Sequence, residues 1–131
     1  MRLNVLNSDS SGNGYILQNE HEALVLECGC SLSSLQKAVG FNTAKISGCL
    51  ITHEHGDHSK YASKYIGYMP LYASNGTASA INDKINHHSK VKVLEPLKWH
   101  SLGRFKIMPF ATQHDCAEPY GYLIAHPEIG K

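Results

Sequence analysis

Six consecutive residues, His53-Glu54-His55-Gly56-Asp57-His58, follow directly on an apolar run with strand character at 48–52. Four of the six, His53, His55, Asp57 and His58, are read as metal ligands. So dense a set constrains the fold more than any other stretch, because it has to sit on a short loop at the end of a strand, where imidazole and carboxylate reach one point together. Residues two apart share a face, so His53 and His55 can grip one ion. Gly56 frees the backbone to turn, and Asp57 and His58 then address a second ion. The spacing predicts a two-metal site.

Other metal motifs fail on the letters. A helical zinc protease needs His-Glu-x-x-His with its histidines one turn apart, but the residue four after His53 is Asp57, and Gly56 weakens any helix there. A zinc deaminase needs His-x-Glu and a later Pro-Cys-x-x-Cys, and neither occurs. Cys28 and Cys30 stand one residue apart, which does not fit a zinc finger.

Around this loop the pattern alternates strands and helices. Runs at 2–6, 14–17 and 23–26 read as a strand meander with a polar turn at 19–22. Residues 31–39 read as an amphipathic helix with Ser31 as N-cap and Gly40 as its stop. After the strand at 48–52, the pattern predicts a helix at 59–65, a strand at 71–73, and a helix at 75–85 capped near Asn75 or Thr77. Strands at 91–94, 104–112 and 120–125 close the chain, with Pro96 and Pro119 marking connections. No repeat, low-complexity run or linker is present.

The stretch Thr52 through His58 resembles the His-x-His-x-Asp-His signature of the metallo-β-lactamase fold superfamily. Further stretches resemble its YycJ/WalJ-like cytoplasmic branch in the same order: Ser10-Ser11-Gly12-Asn13, the strand at 23–26 followed by Glu27-Cys28-Gly29, Leu71-Tyr72-Ala73, and the run from Gln113 to Pro119. Asp9 stands where that branch usually has Gly. Glu27 stands where an Asp is common, keeping the carboxylate on a longer arm. The resemblance implies an α/β fold, the N-terminal half of an αββα sandwich with a mixed sheet and flanking helices. It also implies that His53, His55 and His114 bind a first ion, and that Asp57 and His58 begin the site of a second. His114 lies just past an apolar strand, the same strand-end position as His53 and His55. In the family a downstream Asp and a further His complete the second site, and neither has a counterpart here. The chain therefore reads as one truncated domain, 1–131, with impaired or absent turnover in this form.

The ligand set points to hydrolysis, since a histidine-bound metal lowers the pKa of its water toward ~7 and a second ion can steady the leaving oxygen. Asp57 is the candidate catalytic residue, orienting that water. Zinc is the expected ion, one or two of them, with manganese or iron as alternatives. The resemblance makes nucleic acid the expected substrate and phosphodiester cleavage the expected reaction. A small ester, lactone or thioester substrate stands as the alternative, as does a non-catalytic metal-binding or assembly module. Ser10, Ser11, Gly12 and Asn13 are candidates for contact with a substrate phosphate, although a hydrogen-bonded turn explains the same letters. Glu54 is expected to be structural or exposed. His21, His87, His88, His100 and His126 lie in turns or among polar residues and are assigned no metal role; adjacent side chains such as His87 and His88 point opposite ways in extended chain.

Composition sets the remaining bounds. With 131 residues and 42% apolar content the chain supports one modest core, and its formal charge of +1 neither demands nor excludes nucleic acid. It has no apolar signal region and no run long enough to cross a membrane, so a cytoplasmic location is expected, with Cys28, Cys30, Cys49 and Cys116 as thiols. Half a sandwich is expected to bare the inner face of its sheet at 24–26, 50–51 and 122–124, and so to self-associate as a twofold dimer.

Overall fold

A computed structural model describes residues 1–112 and 116–129. Its first sheet begins as an antiparallel meander of β1 (Arg2–Asp9), β2 (Gly12–Gln18) and β3 (Ala23–Leu26). Three further strands then add in parallel: β4 (Ile46–Leu50), β5 (Leu71–Ala73) and β6 (Lys92–Val93). The order in the sheet follows the order in the chain, β1 to β6. A second, antiparallel sheet consists of β7 (His100–Leu102), β8 (Phe105–Ala111) and β9 (Tyr120–Ala125).

Helices α1 (Leu32–Ala38), α2 (Gly56–Ser59), α3 (Ala62–Tyr65) and α4 (Asn75–Asn82) serve the first sheet, and a single 3-10 turn lies at Thr43–Lys45. Two apolar clusters divide the core. Val25, Cys49, Ile51 and Leu71 meet Leu35, Tyr65, Ala78 and Ile81 on the helix side of the first sheet. Leu24, Leu50 and Leu94 meet Leu102, Phe105 and Ile107 between the two sheets. Strands β3 and β4 are therefore covered on both faces, which is why they read as unbroken apolar runs rather than alternating ones. The layers run helix, sheet, sheet, as in the first half of an αββα sandwich.

The second sheet overturns one expectation. Leu24, Leu50 and Ile51 are fully buried, and Tyr122 and Ile124 pack into the cluster between the sheets. Tyr122 Oη donates to Ile51 O at 2.7 Å and Tyr120 Oη to Leu94 O at 3.1 Å, fastening one sheet to the other. The inner face is thus covered from within the chain, and the premise for a dimer built on it is absent. Exposed apolar side chains lie elsewhere, at Leu3 and Val5 on β1, Phe41 and Leu97 in connections, and Phe110 and Leu123 on the outer face of the second sheet.

Element boundaries moved where tertiary contacts set them. β1 and β2 run closer together than predicted, so Gly12 and Asn13 are strand residues and only Ser10 and Ser11 form the turn. The single helix predicted at 59–65 is two short ones, α2 and α3, the first starting at Gly56. α4 ends at Asn82, not 85, and its cap is Ser74, whose hydroxyl accepts from Thr77 N. β7 was not predicted; three residues give too little periodicity to show. Cys28, Cys30 and Cys49 are buried thiols, as expected, and Cys116 is half-buried. Among the described residues no helix is long and apolar enough to cross a membrane.

Candidate metal centre

The carboxyl ends of parallel strands β3 and β4 lie side by side, the place where open α/β sheets collect their ligands. β3 delivers Glu27, whose φ of +69° bends the chain out of the sheet while its N–H still reaches Leu50 O at 2.8 Å. Just past the end of β4, Thr52 turns its N–H and hydroxyl onto the Glu27 carboxylate at 2.8 and 2.7 Å. His53, His55, Asp57 and His58 follow, and all four line one cleft of about 510 Å³ with Glu27, Thr52, Thr112 and Tyr120. The His53 ring centroid is 4.7 Å from that of His55 and 4.0 Å from that of His58.

Hydrogen-bond bookkeeping fixes two of these imidazoles. Thr52 Oγ1 has one proton, which it gives to Glu27 Oε2, so toward His53 Nδ1, 2.8 Å away, it acts as acceptor. His53 is then protonated on Nδ1, which makes Nε2 the ring nitrogen that carries the lone pair. His58, whose Nε2 lies 3.4 Å from Asp57 Oδ2, contacts the same Glu27 oxygen through Nδ1. That bond raises the His58 pKa above the ordinary histidine value against the opposing pull of burial, with the Glu27 and Asp57 charges adding to the rise. A carboxylate that orients ligating histidines through Nδ1 is the arrangement metal centres use to fix tautomer and ring direction. Glu27, His53 and His58 each bring a ligand-type atom within 4.8 Å of the others. Of the three, Glu27 is the orienting group, because its oxygens are already engaged with Thr52 and His58. These nitrogen and carboxylate donors fit zinc, manganese or iron.

Asn13, predicted to touch substrate, is 7% exposed and faces inward. Its Nδ2 lies 3.2 Å from Asp57 Oδ2 and 3.3 Å from His58 Nε2, so it steadies the second half of the ligand loop. Gly12 owes its place to packing: a Cβ there would come within 2.2 Å of Gly29 O, and one at Gly29 within 1.9 Å of Asp57 O. Ser10 and Ser11 are exposed at the turn, where Ser11 N–H donates to Asp9 Oδ1 at 2.8 Å. The Ser11 hydroxyl and N–H together hold the Asp9 carboxyl below its usual range. His114 lies outside the described residues. On either side of it, Thr112 N–H donates to Pro119 O at 3.1 Å and Tyr120 N–H to Thr52 O at 2.8 Å.

The histidines given no metal role lie away from the cleft lining. His87 and His88 sit in a bend, not extended chain, so their rings stack at 4.4 Å instead of pointing apart. His126 is buried against Glu22. Sequence reasoning missed Thr52 and Tyr120 as cleft residues, and noted Glu27 only as a departure from pattern. The signal available for Glu27 was a carboxylate at the end of an apolar strand.

Comparison with known proteins agrees with this geometry. The profile of the metallo-beta-lactamase superfamily matches residues 8–60. The chain is 30% identical to the exodeoxyribonuclease YycJ of Bacillus anthracis over 93% of its own length and 49% of that protein. It is likewise 30% identical to the exodeoxyribonuclease WalJ of Streptococcus pneumoniae, over 92% of its length and 48% of the relative. Among solved structures, the metallo-beta-lactamase fold protein YhfI from Bacillus subtilis superposes with a TM-score of 0.72 at 19% identity, covering 94% of this chain and 57% of that one. The chain thus spans about half the length of the curated relatives it matches.

Proposed function

This chain belongs to the metallo-beta-lactamase fold superfamily, and from that premise we propose that its cleft holds zinc and hydrolyses phosphodiester bonds of nucleic acid, as an exonuclease of the cytoplasm. One observation supports the reading: Glu27, His53 and His58 bring ligand-type atoms within 4.8 Å of one another, in a cleft that His55 and Asp57 also line. The nuclease names of the two bacterial relatives support nucleic acid over a small ester, lactone or thioester. His53, His55 and His114 hold the first ion in this reading, and Asp57 and His58 the second, with manganese or iron as alternatives to zinc.

A metal bound there would supply an activated water and neutralise charge on the phosphate. The residues of the chain do the rest. Glu27 and Thr52 keep the imidazoles aimed. Asp57, braced by Asn13, orients the attacking water. Ser10, exposed on the turn that leads into Asn13, offers its hydroxyl to a flanking phosphate, and Ser11 holds that turn through Asp9.

Stripped protein reloaded with zinc or manganese is expected to shorten end-labelled DNA at an impaired rate, and the His55→Ala variant, purified identically, to lose both metal and cleavage. Equal metal content in wild type and His55→Ala would overturn the ligand assignment. Hydrolysis of a lactone or thioester with DNA left intact would overturn the substrate.

A further inference from the structure

The 53–58 loop has two sides. His53, His55, Asp57 and His58 line the metal cleft, while Glu54, Gly56 and, just beyond, Lys60 line a separate cavity of about 280 Å³. The same short stretch is thus a wall between two hollows. In the middle of that wall Gly56 is exposed and carries no side chain, so a linear ligand seated in the cleft meets the least obstruction there.

The cavity has an apolar floor and a cationic rim. Ala62, Ile81 and Ile85, all buried, form the floor. Lys60 reaches the rim from the end of α2 and Lys84 from just past the end of α4. Lys90 adds a third ammonium close by, because its Nζ donates to Ile85 O at 2.7 Å. Between Asp83 and Glu95 the chain carries three lysines and no carboxylate, so the local field is positive although the formal charge of the whole chain is only +1. Glu54 opposes it with a carboxylate whose Oε2 is held by Ala117 N–H at 2.8 Å. Lys60 Nζ also donates to Ser11 O, spending one of its three protons, and so joins the cavity to the turn that bears Ser10.

An apolar floor under ammonium groups matches a small unit that is apolar at one end and anionic at the other. A nucleotide is such a unit, its sugar and base suited to the floor and its phosphate to the rim. The volume lies just below the ~300–1,000 Å³ of ordinary small-ligand sites, which is room for one unit of a single strand and not for a duplex. We propose that this cavity is a subsite for one nucleotide of a single-stranded substrate, which passes between cleft and cavity across Gly56 while Lys60 and Lys84 neutralise its phosphate. The proposal rests on the reading of the neighbouring cleft as a centre of nucleic-acid hydrolysis, and adds to it the course of the strand beyond the cleaved bond.

Fluorescence anisotropy of a labelled oligothymidylate, titrated with the full chain in chelator so that nothing is cleaved, reads affinity as a function of salt. Lys60→Ala and Lys84→Ala are each expected to weaken binding and to flatten the slope of log affinity against log salt by about 0.7, the single-strand value for one phosphate contact. Lys84→Arg is expected to keep the slope. Ser63→Glu, which adds a carboxylate to the cavity wall at an exposed position of α3, is expected to weaken binding with every lysine in place. Lys106→Ala, on the second sheet, controls for loss of charge in general and is expected to bind as wild type does. Lys84 is exposed, so its replacement carries the test even if loss of the Ser11 contact unfolds Lys60→Ala. Failure of the wild type to bind the oligonucleotide would overturn the nucleic-acid reading and the subsite together. Wild-type binding with unchanged affinity and slope in Lys84→Ala, or an equal flattening in Lys106→Ala, would overturn the subsite alone. Displacement of the label by polyglutamate as readily as by unlabelled oligothymidylate would do the same, since the cavity would then be an unselective anion patch.

Discussion

Glu27 shows how much one side chain can decide. It is 4% exposed, sits in left-handed backbone, and takes the proton of Thr52 Oγ1 while touching His58. Removing it should release two imidazoles at once. In nitrogen-detected NMR of metal-free protein at pH 8, His53 and His58 are expected as Nδ1–H tautomers, and Glu27→Ala is expected to shift them toward Nε2–H and to weaken zinc by about 10- to 100-fold. Unchanged tautomers would show that the carboxylate does not control them. That His53, His55, Asp57 and His58 share one cleft was legible in the sequence because they are neighbours in the chain. The role of Glu27 was not, since its partners Thr52 and His58 lie 25 and 31 residues away. The inward turn of the Asn13 amide was not legible, because nothing in Ser-Gly-Asn tells which way it faces once β2 begins at Gly12.

At the scale of elements, β3 carries a buried carboxylate beyond each end. Glu27 meets Thr52 and His58, and Glu22, at the far end, pairs with His126 and accepts from Arg104 N–H at 3.1 Å. Burial alone would raise the Glu22 pKa, but the His126 and Arg104 hydrogen bonds and the nearby positive charges outweigh it and the net shift is downward. A depressed carboxyl pKa contributes stability above the unfolded value near 4.5, and that contribution disappears as pH falls through the folded value. Thermal melts of wild type and Glu22→Gln should therefore differ most near pH 7 and converge as the pH drops below about 4.5. A gap that stays constant down to pH 3 would mean that Glu22 is not the group being titrated. Elements with long apolar runs, β3, β4 and β9, were legible because burial on both faces or across a sheet interface imposes a strong composition. The break between α2 and α3 and the Ser74 cap were not, because each is set by contacts distant in sequence; Ser74 Oγ, for one, donates to Glu118 O 44 residues on, whereas β7 is too short to show a period.

The whole molecule holds together through two apolar layers that share β3 and β4. Leu50 and Phe105 are fully buried in the layer between the sheets. Leu50→Ala is expected to cost about 2–5 kcal/mol and Phe105→Ala about 3–5 kcal/mol in urea unfolding. Each should lower the stability of both sheets in one transition; separate transitions by tryptophan fluorescence and circular dichroism would show that the second sheet folds as an independent unit. Beneath the ligand loop lies a stack of bare backbone, where Gly12 meets Gly29 and Gly29 meets Asp57 with no side chain between them. Such a floor cannot be adjusted by degrees. A saturation mutagenesis scan scored on activity would find nearly every substitution at Gly12 and Gly29 as damaging as loss of a histidine. The two glycines would masquerade as members of the active site, and only a scan scored on retained metal per folded molecule would tell the floor from the ligands it supports.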